Sequence, residues 1–186
     1  MYMEKIQSIA VYCGARPGNN LAYRLVAEEL GRELALRKIR LVYGGGGTGV
    51  MGTLSDSVLD NGGQVTGVIP RFLDSNEIAH AGLTELIKVD SMHIRKQTMF
   101  DRADAFIILP GGIGTLDEFF EIITWKQLKQ HNKPVILVNV SGCWDSINTL
   151  IEDLVKNDFL HSNIRAVSYT HLRAHETLRY LVWRLV

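Results

Sequence analysis

Ala105-Phe106-Ile107-Ile108-Leu109-Pro110-Gly111-Gly112-Ile113-Gly114-Thr115-Leu116-Asp117-Glu118 joins a strand, a turn and the start of a helix in one run. Ala105 to Leu109 is uninterruptedly apolar and rich in branched side chains, as expected of a strand buried on both faces of a parallel sheet. Pro110 ends it, because proline has no N–H for the ladder. Gly111, Gly112 and Gly114 let the backbone turn sharply and come close to a ligand without interference from a Cβ. Thr115 stands where a helix should begin, and apolar residues continue at helical spacing from Leu116 to Leu128. A glycine turn that opens a helix offers unpaired N–H groups and the positive end of the helix dipole to an anion. Asp117 and Glu118 would then lie in the first helical turn, and two readings of Glu118 stay open. Thr115-x-x-Glu118 fits a capping box, which needs no ligand. Alternatively, Glu118 faces the sugar of a substrate whose phosphate the glycine amides hold.

The rest of the chain alternates in the same way. Ile6 to Val11 reads as a central first strand, followed by the turn-rich Cys13 to Asn20 and a helix over Leu21 to Leu36. Arg16 on that loop is within reach of a phosphate, although an exposed loop arginine is common on any surface. Leu41 to Tyr43 is the second strand, and Gly44 to Gly52 opens a helix over Val50 to Asn61. Five glycines in six residues are more than a tight turn needs. The run contains Gly-x-Gly-x-x-Gly twice, but it follows the second strand rather than the first. The next strand, Gln64 to Ile69, ends in Pro70-Arg71 with no acid for a ribose. Gly45 and Gly46 are therefore expected to line a second backbone wall of one crevice.

Ser75 to His80 reads as a loop or short helix carrying Glu77, and Glu85 to Val89 as the fourth strand. Ser91 can cap a helix on which Met92, Arg95 and Met99 share an inward face. A guanidinium carried inward wants an anion partner. Lys96 points about 100° away on helix geometry, so one of the pair can be merely solvated. Pro134 to Val140 is the next strand and Trp144 to Lys156 the next helix. This alternation predicts an α/β fold, a doubly wound parallel sheet of Rossmann type. Its ligand-facing loops should follow the first, second and fifth strands.

Four stretches in order are similar to one known family: Val11-Tyr12-Cys13-Gly14-Ala15, Tyr43 to Gly52, Met92-His93-Ile94-Arg95-Lys96, and Pro110 to Glu118, which matches Pro-Gly-Gly-x-Gly-Thr-x-x-Glu. From about Ile6 to Arg165 the sequence resembles the LOG ("Lonely guy") family, cytokinin riboside 5′-monophosphate phosphoribohydrolases often mislabelled lysine decarboxylases. The resemblance implies hydrolysis of the N-glycosidic bond of a nucleoside 5′-monophosphate, giving a free adenine-type base and ribose 5-phosphate. It implies Glu118 as the carboxylate at the sugar and Arg95 as the holder of the phosphate or leaving base, with Lys96 adding charge complementarity. Gly111, Gly112, Gly114 and Thr115 would bind the phosphate. Glu77, eighteen residues before Arg95, and Thr124 would be further substrate contacts. Thr124 lies about 240° round the helix from Glu118, so the two do not reach one ligand atom.

This chemistry needs no metal or redox cofactor, and no His/Cys/Asp cluster has ligand spacing. Family members are typically homodimers, and Trp125 with the Met92/Met99 helix offers apolar contact area; ordinary core packing is the plain alternative. Two other classes remain. One is a non-catalytic nucleotide-binding or carrier protein. The other is a pyridoxal-phosphate decarboxylase, which needs a Schiff-base lysine and for which Lys96 beside Arg95 is a poor candidate.

A chain of 186 residues is long enough for one domain with a proper core. A formal charge of zero and no long basic run argue against a nucleic-acid surface. No apolar run reaches the roughly 18 to 20 residues of a membrane span, and no basic-then-apolar segment resembles a signal peptide. Cys13 and Cys143 lack metal or redox spacing and are expected as reduced thiols in the cytoplasm.

Val167-Ser168-Tyr169-Thr170-His171-Leu172-Arg173-Ala174-His175-Glu176-Thr177 matches, codon for codon, the in-frame translation of a transposase sequencing adaptor. The expectation is a single domain over 1–166, a native reading frame lost near Ala166, and a non-native tail over 167–186. Without the tail's three arginines and one glutamate the formal charge falls from zero to −2. His171 and His175 are set aside accordingly. The rival reading is a genuine amphipathic helix over Leu172 to Leu185, and resequencing the source gene across codon 167 separates the two.

Overall fold

A computed structural model describes residues 6–74 and 79–160, and the backbone alone of 168–170. Seven parallel strands, β1 (Ser8–Tyr12), β2 (Arg40–Tyr43), β3 (Val65–Pro70), β4 (Glu85–Val89), β5 (Ala105–Ile108), β6 (Val135–Val138) and β7 (Ser168–Thr170), form one sheet. Their order is β4-β3-β2-β1-β5-β6-β7. Five helices connect them: α1 (Leu21–Leu36), α2 (Gly49–Asp60), α3 (Met92–Asp101), α4 (Ile113–Gln127) and α5 (Asp145–Lys156). The doubly wound α/β reading holds.

The handedness of parallel crossovers assigns each helix to a face. The chain winds outward from β1 to β4, then returns to β5 on the other side of β1 and winds outward again. One layer therefore holds α1 and α2, packed on Ile9, Val11, Leu41, Tyr43 and Ile107. The opposite layer holds α3, α4 and α5, packed on Ala10, Tyr12, Val42, Phe106 and Ile108. Alternate residues of each central strand thus enter different cores, which is why these strands read as apolar throughout.

The winding reverses between β1 and β5, whose register pairs Val11 with Ile107 and Tyr12 with Ile108. The loops leaving these two strands diverge toward opposite layers and leave a crevice, the usual ligand position in an open α/β sheet. The Gly14 N–H donates to the Pro110 carbonyl at 3.0 Å and ties the two loops together at its base.

Element ends shift by a residue or two from the sequence expectation. β1 runs to Tyr12, and β3 includes Pro70, tolerated at a strand's last position. At the far edge β7 pairs Ser168 with Ile136 and Thr170 with Val138. Three residues of the adaptor-like stretch therefore fill an edge position, where backbone pairing makes little demand on side-chain identity. Residues 167 and 171–186, including the alternative helix over Leu172 to Leu185, lie outside the described residues.

Candidate active site

The turn after β5 starts its helix earlier than Thr115. α4 begins at Ile113, with Gly112 as an N-cap that makes no side-chain hydrogen bond. The capping box, one of the two readings open for Thr115 and Glu118, is therefore not formed. Thr115 is buried instead, its hydroxyl lying where a side chain on Gly111 would stand. Gly111 is a glycine because Thr115 occupies that space. The amides of Ile113, Gly114 and Thr115 open the helix without intrahelical acceptors, the arrangement that suits an anion. Asp117 and Glu118 fall in the second turn, which removes the conflict between their charge and an anion at the helix start.

Glu118 is 5% exposed, and its Oε1 lies 3.5 Å from Nη1 of Arg95, itself 8% exposed. The guanidinium is fixed from two more sides. Its Nε donates to the Val68 carbonyl at 3.1 Å and its Nη2 to the Gly44 carbonyl at 3.4 Å. A side chain at Gly44 would land on that Nη2, so the first glycine of the run makes room for Arg95. Despite the ion pair, burial lifts the Glu118 carboxyl from 4.5 to about 7; Arg95 pulls the other way and only partly offsets the desolvation. A carboxylic acid at that value exchanges its proton near neutral pH, as a general base must.

These groups line one cavity of about 600 Å³ at the switch point. Its walls are the loop Cys13 to Gly18, the turn Pro110 to Gly112 with Gly114 and Thr115, and the pair Arg95 and Glu118. Tyr23, Val50, Met51, Cys143 and Trp144 complete it. Sequence reasoning singled out none of these five for the site. Val50 and Met51 lie within the quoted stretch Tyr43 to Gly52, whereas Tyr23, Cys143 and Trp144 come from distant segments with no spacing signature, and only the strand order brings them together. Burial first and the Glu118 charge second push the Cys13 thiol far up, which disfavours its thiolate. Cys143 is likewise pushed up by burial, to about 11.

Several expected site residues stand elsewhere. Lys96 is buried rather than solvated. Its Nζ pairs with Asp117 Oδ2 and Glu121 Oε1, both at 3.1 Å, on the side of α4 away from the cavity. Burial lowers its pKa, but the two carboxylates more than offset this, and the ammonium is held charged. α3 is covered by the sheet on one side and by α4 on another, so a residue about 100° from its inward face is still buried. No lysine lines the cavity among the described residues, so a Schiff-base lysine has no candidate there.

Gly45 and Gly46 do not form its second wall either. Gly45, at φ +80°, packs on Ile69 and Leu86 and accepts from the His80 N–H at 2.9 Å. Gly46 bridges to Ala79 and accepts from the Tyr43 hydroxyl at 3.1 Å. Val50 and Met51 of α2 supply that wall instead. Thr124 is exposed and donates to the Phe120 carbonyl at 2.6 Å, away from the cavity. Glu77 lies outside the described residues. Met99 is fully buried in the core and offers no contact surface. Among the described residues no helix is long and apolar enough to cross a membrane, and no group of three or more His, Cys, Asp or Glu could hold a metal ion.

Fold and cavity together define a doubly wound α/β protein with a glycine turn opening a helix and a buried carboxylate–guanidinium pair at its switch point. A family model described as "Possible lysine decarboxylase" matches residues 51–181. A cytokinin riboside 5′-monophosphate phosphoribohydrolase of Rhodococcoides fascians is 48% identical over 155 residues, covering 83% of this chain and 78% of the relative. The enzyme of that name designated LOG2 in Arabidopsis thaliana is 44% identical over 177 residues, covering 95% of this chain and 83% of the relative. The chain belongs to this family, the LOG family.

Among solved structures, the molybdenum cofactor carrier protein from Chlamydomonas reinhardtii matches with a TM-score of 0.68 at 20% identity, over 97% of this chain and 98% of that one. The molybdenum cofactor binding protein from Rippkaea orientalis matches with a TM-score of 0.63 at 20% identity, over 85% of this chain and 100% of that one. At such identity the likeness is one of fold.

Proposed function

We propose that this protein hydrolyses the N-glycosidic bond of a nucleoside 5′-monophosphate, a cytokinin riboside 5′-monophosphate or AMP, to a free adenine-type base and ribose 5-phosphate. The observation that carries the reading is the Glu118–Arg95 pair, buried in the same cavity that the α4 N-terminus opens into. Holding a phosphate does not require a buried carboxylate beside it, whereas breaking a glycosidic bond does.

The 5′-phosphate takes the amides of Ile113, Gly114 and Thr115 and the Thr115 hydroxyl. As C1′–N9 breaks, its electron pair leaves with the base and positive charge grows on the sugar. Ionised Glu118 stabilises that charge in a site of low dielectric. Water then adds through its oxygen to C1′, giving up a proton that passes by way of Glu118 to the departing base. Arg95 keeps Glu118 ionisable and oriented. Lys96 acts one layer back, by fixing Asp117 and Glu121 on the outer side of α4.

The test is incubation of the protein with AMP and with isopentenyladenosine monophosphate, followed by chromatography for the free base. Intact nucleotide after long incubation with both would leave only a nucleotide holder. Because the ionised form of Glu118 does the work, kcat/KM is expected to rise with pH through an apparent pKa of about 7. A profile flat from pH 5 to 8 would remove Glu118 from the role.

The free thiols Cys13 and Cys143 fit a reducing compartment, and the cytoplasm is the location inferred here. The partner is a free nucleotide rather than a nucleic acid. Ile94 on α3, Ile113 on α4 and Leu128 at the C-cap of α4 are exposed apolar groups, and a homodimer through these helices follows as the assembly proposed. Sedimentation at a monomer's mass would exclude it.

A further inference from the structure

Arg16 is the cation that the proposed chemistry leaves unused. It lines the cavity from the loop after β1, is exposed, and joins no ion pair among the described residues. Arg95, the other cation of the lining, is already committed to Glu118, Val68 and Gly44. Arg95 is met by the Glu118 carboxyl, whereas Arg16 pairs with no carboxylate among the described residues of the lining.

The backbone that carries Arg16 is pinned on several sides. Met51 donates its N–H to the Gly14 carbonyl at 3.1 Å, and the Thr48 hydroxyl donates to the Ala15 carbonyl at 3.1 Å. Gly14 itself donates to Pro110. A side chain at Gly14 would meet both the Arg16 carbonyl and the Gly111 Cα at 3.2 Å, so the loop lies directly on the glycine turn. A side chain at Gly49 would run into the Ala15 and Arg16 backbone, so α2 seats against it as well. Pro17 follows and fixes its own φ. The chain is held where it touches the glycine turn, while the guanidinium has no hydrogen-bond or ion-pair partner among the described residues. That arrangement suits a clamp: a preorganised backbone carries a charge that waits for a ligand. Guanidinium geometry matches a phosphoryl group through paired N–H donors.

We propose that Arg16 closes over the phosphoryl group bound at the α4 N-terminus and so makes this cavity prefer nucleoside monophosphates to nucleosides. The inference deepens the nucleotide reading of the cavity and rests on it. Amides of a helix start supply partial charges; among the described residues of the lining, Arg16 supplies a full positive charge with no carboxylate partner.

Calorimetric titration of the full chain with ribose 5-phosphate and with adenosine tests it. Arg16→Ala is expected to weaken ribose 5-phosphate binding by about 10- to 100-fold, the range for a charged hydrogen bond, and to leave adenosine binding unchanged. Arg16→Lys should recover part of the loss, and the salt dependence of ribose 5-phosphate binding should flatten in Arg16→Ala. Unchanged ribose 5-phosphate affinity in Arg16→Ala, an equal loss for adenosine, or no binding of ribose 5-phosphate by the unsubstituted chain would each overturn the clamp. The clamp and the hydrolase fail separately. Arg16-dependent binding of ribose 5-phosphate without base release from any nucleotide keeps the first and removes the second. Base release with Arg16-independent phosphate binding does the reverse.

Discussion

Glu118→Gln is expected to cut base release from AMP by about 10³-fold, the scale for loss of one preorganised electrostatic group, while nucleotide affinity stays nearly unchanged. The amide keeps the shape of the side chain and its contact with Arg95, but it cannot carry negative charge to the sugar or take a proton from water. The same substitution should stabilise the protein at alkaline pH. Burial raises the Glu118 carboxyl from 4.5 to about 7, so the folded state binds that proton more tightly than the unfolded state does. A group of this kind contributes its full stability below pH 4.5 and loses it as the pH climbs through about 7. Glutamine mimics the protonated acid at every pH. Urea midpoints of the two proteins should therefore lie close together at pH 5 and separate at pH 8, with the variant more stable by up to about 3 kcal/mol. Near-normal turnover would defeat the catalytic assignment. Equal stability at pH 8 would mean that the carboxyl is hydrated rather than desolvated.

How much of this was legible in the sequence depended on how local the deciding contacts are. The helix over Leu21 to Leu36 and the strand over Glu85 to Val89 have the bounds their patterns imply, because periodicity and flanking turns settle them within the segment. The glycine turn after β5 was legible for the same reason. The start of α4 was not. Thr115 has the side chain of a good N-cap, but Gly112 needs no side chain to cap, and the free space at Gly111 draws the threonine hydroxyl inward. Gly45 and Gly46 looked like ligand wall because only the fold reveals that His80 and Ala79 come back over them. Lys96 looked solvated because a helical wheel shows one helix and not its neighbours.

The cavity's aromatic wall was the least legible part. Tyr23 opens α1 and Trp144 precedes α5, far apart in sequence, and neither carries a pattern distinct from core. Their meeting depends on the order β2-β1-β5-β6, which brings four loop ends to one side of the switch point. That order is also what makes the catalytic reading coherent. β1 and β5 each donate a glycine-bearing loop, and α3 reaches across from the opposite layer to deliver Arg95 beneath Gly44.

Arg95→Met should be the most damaging single change in the site, because the guanidinium serves three acceptors at once. Methionine retains much of the stem's bulk and leaves the Val68 and Gly44 carbonyls without their donor and the Glu118 carboxylate without its counter-charge. The loss at pH 8 is expected to reach about 3 kcal/mol, the usual cost of removing one partner from a buried pair. Without the cation only the weaker pull of Lys96 is left, and the main offset to the burial of Glu118 is gone. Its carboxyl should titrate higher still, and base release at pH 7 should fall by about 100-fold or more. Arg95→Lys is not expected to rescue either property, since a compact ammonium cannot span three separated acceptors. The double variant Arg95→Met/Glu118→Gln separates charge from packing. If the damage is an uncompensated carboxylate, adding Glu118→Gln to Arg95→Met recovers more than half of the lost stability at pH 8, and the gain vanishes near pH 5. Additive losses across the cycle, independent of pH, would mean that Arg95 supports the fold through its backbone contacts alone and that its partnership with Glu118 is incidental.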